Sequence, residues 1–372
     1  MFFPSFSSRA RSSFREVFVD RPKFSPGPIS LLFILPVFFF IAFIQCGEAQ
    51  ETLKGLSAVE GVKIGHHTLQ ERPTGCTVVL VEAGAIAGVD VRGSAPGSRE
   101  TDLLNPINLV EQVHAIVLSG GSAFGLDAAS GVMRYLEERN IGFDTRVAKV
   151  PIVPSAILFD LGVGDPKIRP SADCGYRAAT NATTGPAQEG NVGAGAGATI
   201  GKLAGAGRAM KAGVGTTSIT LPDGLTVAAL VVVNAVGDVI DPSSGKIIAG
   251  LRTEDGNGLA DSRTAIRKGA PLRARVGQNT TLGVVATNAR LTKVQASKMA
   301  QMAHDGLARA LSPTHTPFDG DAIFSLATGT YKGSSDMLTI GALAAEVVAE
   351  AIVRAAREAN GIPGYPAARD LP

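Results

Sequence analysis

A single Asn-Thr bond is the first place in this chain where the residue types could do chemistry. The segment "QNTTLGVVATNA" sets Asn279 and Thr280 before residues 281–288, whose apolar pattern predicts a buried strand. Hydroxyl residues at a strand entrance are ordinary, and most Asn-Thr bonds stay intact. If this bond breaks, Thr280 gains an α-amine with a reference pKa of about 7.7–8.0, which can accept the proton of its own hydroxyl. The pair predicts either a plain loop-to-strand junction or an N-terminal nucleophile.

Two carboxylates lie two positions apart in "FDGDAIF". In an extended segment Asp319 and Asp321 point to the same face, where they repel each other unless a cation or a shared proton lies between them. One interpretation is a turn with solvated acids. The other is a pair that holds an ammonium group, such as the free amine of Thr280.

An amide side chain, Asn234, interrupts the apolar run "ALVVVNAVG". A polar group inside a buried strand needs hydrogen-bond partners. Asn234 is therefore either a satisfied core residue at the start of a turn or a donor directed at a reacting oxygen, as in an oxyanion hole.

The glycine-rich run "GNVGAGAGATIGKLAGAG" imitates nucleotide-binding motifs but does not match them. Lys202 is followed by Leu203 rather than Ser or Thr, and Ala196 stands where a phosphate loop begins with Gly. No clear strand precedes the run, and the first acid after it, Asp223, lies in a Pro-Asp-Gly turn. We expect no cofactor. The run predicts close backbone packing around a pocket or backbone N–H groups that face a substrate, with Lys202 as a lone cation beside them.

Composition excludes several other classes. The chain has 372 residues, of which 45% are hydrophobic, with 44 Gly and no Trp, so a large core of small residues is expected. The glycines follow no fixed period, which excludes collagen. A net charge of +2 without a block of like charge gives no reason to expect a nucleic-acid partner. The five histidines show no metal-binding spacing, so no metal is predicted either.

The N-terminus has the layout of a signal peptide. Five basic residues precede the apolar run 29–46, and the small residues Gly47 and Ala49 stand at positions −3 and −1 of a cleavage point before Gln50. Residues 1–49 are predicted to be a signal peptide for export to the periplasm or outside the cell, and a membrane anchor at 29–46 is the alternative. After cleavage only Cys76 and Cys174 remain. A disulfide between them is compatible with the sequence but not implied, and we interpret both as core residues.

The rest of the chain, 50–372, is predicted to be one domain of the α+β class, because strands and helices come in groups rather than in strict alternation. Helices are expected at about 123–138, 172–182, 292–311 and 337–360. Residues 224–241 form one long β-run, and residues 242–278, which lack periodicity, are predicted to be an exposed linker that ends just before Asn279.

Five segments in this order resemble a known family: "LSGGSAFGLDAASGVMRYLEE", "VPSAILFDLGVGD", "GNVGAGAGATIGK", "NTTLGVVATNA" and "PFDGDAIFSLATG". The chain is similar, over about residues 55–360, to the self-processing aminopeptidase/amidase family. That family (peptidase family S58) includes the L-aminopeptidase/D-esterase enzymes, the β-aminopeptidases and the nylon-oligomer endo-hydrolases. The Asn-Thr pair and the Asp-x-Asp pair look closest to the nylon-oligomer branch, whereas many aminopeptidase members are cut at Gly-Ser.

The resemblance implies a four-layer αββα sandwich like that of N-terminal-nucleophile hydrolases, with its own connectivity. It implies a cut between Asn279 and Thr280 that gives a larger chain, 50–279, and a smaller chain, 280–372, assembled as a homo-oligomer of cleaved heterodimers. Thr280 would be the nucleophile, with Asp319, Asp321, Lys202 and Asn234 around it. The expected partner is a small amide or peptide substrate. Alternatives are an acyltransferase of the ornithine acetyltransferase type and a binding protein of the same fold that never processes.

Overall fold

The computed structural model describes residues 55–271, 273–275 and 277–371. The predicted signal peptide or anchor at 1–49, with the apolar run 29–46, lies outside the described residues. Within the described part, no helix has the length and apolar character needed to cross a membrane.

Five α-helices and sixteen strands make up the described part. The helices are α1 (Ala128–Glu137), α2 (Ala172–Thr180), α3 (Ser262–Arg267), α4 (Lys293–Ala310) and α5 (Met337–Arg357). The strands are β1 (Lys63–Thr68), β2 (Gly75–Val91), β3 (Ser98–Arg99), β4 (Gln112–Ser119), β5 (Phe143–Asp144), β6 (Lys149–Val150), β7 (Ser155–Ile157), β8 (Thr199–Ile200), β9 (Met210–Lys211), β10 (Val214–Thr220), β11 (Thr226–Asn234), β12 (Asp238–Ile240), β13 (Ile247–Ala249), β14 (Thr280–Thr287), β15 (Leu311–Ser312) and β16 (Ala322–Ala327).

Nine strands form one mixed sheet in the order β10-β11-β14-β16-β2-β4-β7-β3, and β1 pairs with β2 in addition. β14 runs parallel to β16 and antiparallel to β11. The 17-residue strand β2 joins the two halves of the sheet, because its C-terminal part pairs with β16 and its N-terminal part with β4, with a register shift between Leu80 and Ala85.

Three apolar layers separate the elements. The first lies between helices α4 and α5 and one face of β11, where Val227, Val231 and Val233 are buried. The second lies between the two halves of this sheet, where Leu230 and Val232 of β11 share a cluster with Ile116 and Leu118 of β4. The third packs α1 and α2 against the outer face of β2 and β4. This order, helices, strands, strands and helices, is the predicted αββα arrangement.

The helices begin and end close to their predicted positions. Thr292 caps α4 in a capping box with Gln295, and Asp336 caps α5 by accepting a hydrogen bond from the backbone N–H of Thr339. The predicted helix at 123–138 starts as a 3₁₀ helix, Ser122–Asp127, and becomes α-helical only at Ala128.

Two predicted segments are wrong in detail. The β-run 224–241 is two strands in different sheets, because β11 ends at Asn234 and β12 pairs instead with β13 and β15. The predicted linker 242–278 contains β13 and α3, and its Leu251 and Ser262 are buried. A periodic sequence pattern cannot reveal β13 and α3, because each spans fewer residues than one amphipathic repeat. The segment is held instead by hydrogen bonds from the backbone N–H groups of Leu251 and Ser262 to the carboxylate of Asp238.

The two cysteines are bonded to each other. Cys76 on β2 and Cys174 on α2 form a disulfide with Cα atoms 6.3 Å apart, so their interpretation as separate core residues is wrong. Both are buried, as expected of core residues, but the bond also ties α2 to the sheet across 98 residues of sequence.

Candidate active site

The sheet topology brings three strand ends to one edge. β11 runs antiparallel to β14, so its last residue, Asn234, lies directly opposite Thr280, the first residue of β14. β16 runs parallel to β14, so the segment before β16 meets the segment before β14, and Asn279 pairs with Asp319 in an isolated bridge. Residues that are far apart in sequence therefore share one site.

The Asn279–Thr280 peptide is at the centre of this site. Both residues are buried, and the hydroxyl of Thr280 lies 2.5 Å from the carbonyl oxygen of Asn279. The backbone N–H of Gly320 donates to the same oxygen at 2.9 Å. A Cβ on residue 320 would lie 3.0 Å from Thr280 Oγ1 and 2.5 Å from the carbonyl oxygen of Ala95, so the close approach requires glycine.

The two carboxylates are buried and held by different partners. Asp319 accepts hydrogen bonds from the backbone N–H and the hydroxyl of Thr316. Asp321 accepts from the backbone N–H of Thr281 at 2.7 Å, and its other oxygen lies 2.9 Å from Nδ1 of His315. Neither carboxylate is the solvated turn acid that was the alternative interpretation.

Lys202 and Asn234 form a connected pair next to the Asn279–Thr280 peptide. The ammonium of Lys202 donates to the side-chain and backbone oxygens of Asn234, both at 2.9 Å, and to the carbonyl of Gln278 at 3.0 Å. The side-chain amide of Asn234 donates to the carbonyl of Phe159 at 3.0 Å, rather than to Asn279. Both interpretations of Asn234 therefore stay open: its groups are satisfied, and one amide hydrogen is left over to reach a ligand.

The backbone before Lys202 depends on a glycine. Gly201 has a φ of +70°, and a Cβ there would lie 2.0 Å from the backbone carbon of Gly250. The glycine-rich run thus brings Lys202 into the site by tight backbone packing, which was one of the two predictions for this segment.

Burial brings the pKa values of two side chains in the site close to neutral pH. Desolvation lowers the pKa of Lys202 to about 7, although the charges of Asp319 and Asp160 act against the decrease. Desolvation and the neighbouring charge of Asp321 raise the pKa of Asp319 to about 6, against the hydrogen bonds from Thr316 and Val236. The amine of Lys202 and the carboxyl group of Asp319 therefore both titrate within about one pH unit of pH 7.

Several residues of the site carried no signal in the sequence. Gly320 stands between the two aspartates, but nothing in a single sequence marks its N–H as a donor. His315 contacts Asp321 and packs edge-to-face on His304, with ring centroids 4.8 Å apart. Arg72 forms a fully buried ion pair with Asp160 at 2.6 Å, and Asp160 packs against Gly197 of the glycine-rich run. The Gly320–Asn279 and Arg72–Asp160 contacts join residues far apart in sequence, and no local pattern reveals them.

Among the described residues, no group of three or more His, Cys, Asp or Glu is placed to hold a metal ion. The site contains the hydroxyl of Thr280, two carboxylates, the amine of Lys202 and a backbone donor. This set of groups suits acyl chemistry at a carbonyl carbon.

Solved structures show which fold this is. The L-aminopeptidase D-Ala-esterase/amidase from Ochrobactrum anthropi, described as a variant of the Ntn hydrolase fold, matches with a TM-score of 0.60 at 20% identity, over 84% of this chain and 89% of that one. A β-aminopeptidase from Burkholderia sp. matches with a TM-score of 0.58 at 24% identity, over 82% and 87%. The predicted fold, an αββα sandwich of the N-terminal-nucleophile hydrolase type, is confirmed.

Sequence relatives define the family. An "uncharacterized aminopeptidase" of Mycobacterium tuberculosis is 40% identical over 345 residues, which cover 86% of this chain and 98% of that protein. The 6-aminohexanoate-oligomer endohydrolase of Kocuria sp. is 32% identical over 311 residues, or 80% and 84%. The model of peptidase family S58 matches residues 55–369. The chain belongs to peptidase family S58, and it is an amide-bond hydrolase, as the resemblance implied.

Proposed function

We propose that the chain cuts itself between Asn279 and Thr280 and that Thr280, as the new N-terminal residue, then hydrolyses amide bonds. One observation carries the proposal: the carbonyl oxygen of Asn279 lies 2.5 Å from the hydroxyl of Thr280 and 2.9 Å from the N–H of Gly320. The scissile carbonyl thus has a nucleophile and a donor for its developing charge at the same time.

The self-cleavage follows from this geometry. Thr280 Oγ attacks the carbonyl carbon of Asn279 and passes its proton to a base, for which we propose Asp319. Asp319 pairs with Asn279 in the isolated bridge, next to the bond that breaks, and its raised pKa of about 6 suits proton transfer near neutral pH. The C–N bond then breaks, and the nitrogen takes up a proton. Water hydrolyses the resulting ester, leaving a carboxylate on Asn279 and a free amine and hydroxyl on Thr280.

Catalysis on a substrate reuses the same atoms. The amine of Thr280 accepts the proton of Oγ while Oγ attacks the substrate carbonyl, and an acyl-enzyme forms as the leaving amine departs. Gly320 N–H and the remaining amide hydrogen of Asn234 stabilise the oxyanion. Asp319 and Asp321 hold the amine, and Lys202 fixes Asn234. Water then releases the acid.

The substrate class is an amide of small size. The relatives are named as aminopeptidases and as 6-aminohexanoate-oligomer endohydrolases, so we propose peptides or ω-amino acid oligomers as substrates. The pairs Asn-Thr and Asp-x-Asp favour the oligomer substrates. We also propose export after removal of residues 1–49 and assembly of several cleaved heterodimers. N-terminal sequencing of the mature larger chain and size-exclusion chromatography with light scattering test these two points.

Intact-mass analysis of purified protein tests the central proposal. We expect two chains after incubation, the smaller one beginning at Thr280, and release of acid and amine from amide substrates. The variant Thr280→Ala should remain a single chain and should be inactive. Thr281→Ala is the matched control and should still be cut. A folded wild-type protein that remains one chain, or a Thr280→Ala variant that hydrolyses amides, would refute the proposal.

A further inference from the structure

The carboxylate of Asp321 accepts four hydrogen bonds. Its Oδ1 accepts from the backbone N–H of Thr281 at 2.7 Å. Its Oδ2 accepts from the hydroxyl of Thr314 at 3.3 Å, and from the backbone N–H and the ring Nδ1 of His315 at 3.1 and 2.9 Å. All four groups are donors, which suits an ionised carboxylate, because an ionised carboxylate can only accept. Two of the four bonds therefore come from one residue, His315.

The backbone of His315 has an unusual conformation that makes this double contact possible. Its φ is +53°, in the left-handed region that residues other than glycine seldom adopt. In this conformation the backbone N–H and the ring of the same residue both reach Oδ2 of Asp321. Such a conformation carries a free-energy cost, and it persists where the surrounding structure requires it, often at functional sites.

The ring of His315 makes no other hydrogen bond within the described part of the chain. Because a carboxylate only accepts, we assign the ring proton to Nδ1, and Nε2 is buried without a partner. The ring packs edge-to-face on His304, which is fully buried and whose own Nε2 lies 2.9 Å from the carbonyl oxygen of Asp90. The hydrogen-bonding capacity of the His315 ring is thus directed at Asp321 alone.

Asp321 is also anchored at its backbone. Its carbonyl oxygen accepts from the N–H groups of Arg92 and Gly93 at 3.0 and 3.1 Å. The freedom that remains is the rotation of the side chain, which Thr281 restrains through one carboxylate oxygen and His315 through the other. Because Thr281 directly follows Thr280, the carboxylate is kept within one residue of the amine that self-cleavage would create.

We infer that His315 is a positioning residue of the mature enzyme, which fixes Asp321 so that this carboxylate receives the free amine of Thr280. The inference rests on the proposed function and adds a residue to it. The amine exists only after the Asn279–Thr280 bond is cut, and the base proposed for self-cleavage is the other carboxylate, Asp319. The ring of His315 therefore serves the hydrolysis of substrates and contributes little to maturation.

Two substitutions separate the ring donor from the backbone conformation. His315→Asn keeps a side-chain N–H close to the backbone, as Nδ1 is, and asparagine tolerates positive φ better than most residues. His315→Gly allows the same φ but has no side-chain donor. Asn140→Gly is the matched control for a glycine at positive φ, since Asn140 has a φ of +55° and is exposed just after α1. If His315→Gly does not fold, His315→Asp replaces it, because aspartate has the shape of asparagine but offers no donor when ionised.

Steady-state hydrolysis of alanine p-nitroanilide and of the 6-aminohexanoate trimer by the cleaved proteins tests the inference. We expect His315→Gly to lower kcat by about tenfold and to leave KM within about threefold, because the lost hydrogen bond fixes the amine and not the substrate. His315→Asn should restore kcat to within about threefold of the wild-type value. On denaturing gels, both variants should cleave themselves within about threefold of the wild-type rate, and Asn140→Gly should match the wild type in every assay.

Three results would overturn the inference. The first is an unchanged kcat in His315→Gly, and the second is a loss of kcat that His315→Asn shares, since the donor would then not be what matters. The third is a His315→Gly protein that keeps a cooperative thermal unfolding transition but no longer cleaves itself, because His315 would then act on the first step rather than on the amine.

Failure of the proposed function gives a different result. If the cleaved wild-type protein hydrolyses neither amide, the function fails for these substrates. Single-turnover acylation by p-nitrophenyl acetate, with protein in excess and corrected for the release by Thr280→Ala, then decides the inference alone. Slower release of p-nitrophenol by His315→Gly than by the wild type and His315→Asn supports it. Equal rates, or no release by the wild-type protein, refute it.

Discussion

Replacing Gly320 by Ala should slow self-cleavage while leaving the fold intact. A Cβ at this position would lie 2.5 Å from the carbonyl oxygen of Ala95 and 3.0 Å from Thr280 Oγ1. Ala95 is itself fixed, because its N–H donates to the carbonyl of Asp319 at 3.0 Å. To reach an ordinary van der Waals distance the loop at residue 320 must therefore move by about 1 Å.

That displacement acts directly on the donor to the scissile carbonyl. The N–H of Gly320 lies 2.9 Å from the oxygen of Asn279, and a shift of about 1 Å breaks that hydrogen bond. Loss of one donor of this kind costs about 3–4 kcal/mol of transition-state stabilisation, or a factor of about 10²–10³ in rate. We expect the variant to cleave itself about 10²-fold more slowly than the wild type.

The assay is a time course of chain cleavage on denaturing gels, with thermal unfolding as the check on folding. Gly283→Ala is the matched control, since Gly283 lies on β14, is also buried and would bring its Cβ no closer than 3.3 Å to a flexible side-chain atom of Ile323. A Gly320→Ala variant that folds and cleaves at the wild-type rate would refute the assignment of its N–H as the donor.

Three further predictions follow from the geometry. The rate of self-cleavage should show a bell-shaped dependence on pH. It should rise through about pH 6 as Asp319 ionises, and fall above about pH 7 as Lys202 loses the proton with which it holds Asn234 and Gln278. Lys202→Arg should remove the fall at high pH in the same gel assay. Asp160→Asn, which leaves the buried Arg72 guanidinium without its carboxylate, should lower the free energy of unfolding by about 3–5 kcal/mol in urea denaturation, and a loss under about 1 kcal/mol would contradict this. Thiol alkylation before reduction should leave Cys76 and Cys174 unmodified, and Cys174→Ser should cost about 2–4 kcal/mol.

Much of the fold could be predicted from local sequence patterns, because buried strands and helix faces are rich in apolar residues. β11 is apolar from Val227 to Val233 because both of its faces are covered, so its alternate residues join two different clusters. The same property hid where β11 ends, since the apolar residues Ala235, Val236, Val239 and Ile240 continue the run into β12. Asn234 and the Gly237–Asp238 pair interrupt the run, but such short polar interruptions are compatible with several structures.

The site residues were individually ambiguous in the sequence. Thr280, Asn234, Lys202 and the aspartates each allowed an ordinary structural interpretation, and only the resemblance to a family selected one. The structure brings them together through strand pairing between distant segments, such as Asn234 with Thr280 and Asn279 with Asp319. The Cys76–Cys174 bond likewise joins segments 98 residues apart, which a local pattern does not encode.

The position of the Asn279–Thr280 bond has a consequence for how the protein would survive denaturation. β14 is an interior strand, hydrogen-bonded to β11 on one side and to β16 on the other, and the helices α4 and α5 that follow it pack on one face of β10, β11 and β16. A cut at the entrance of β14 would separate the chain into two pieces that share one core without changing any of these contacts. Before the cut, recovery from denaturant is a unimolecular event. After it, two molecules must find each other, so recovery would become second order, fall with dilution and compete with aggregation of the exposed strands. After maturation the native structure would therefore be maintained by a slow rate of unfolding rather than by efficient refolding.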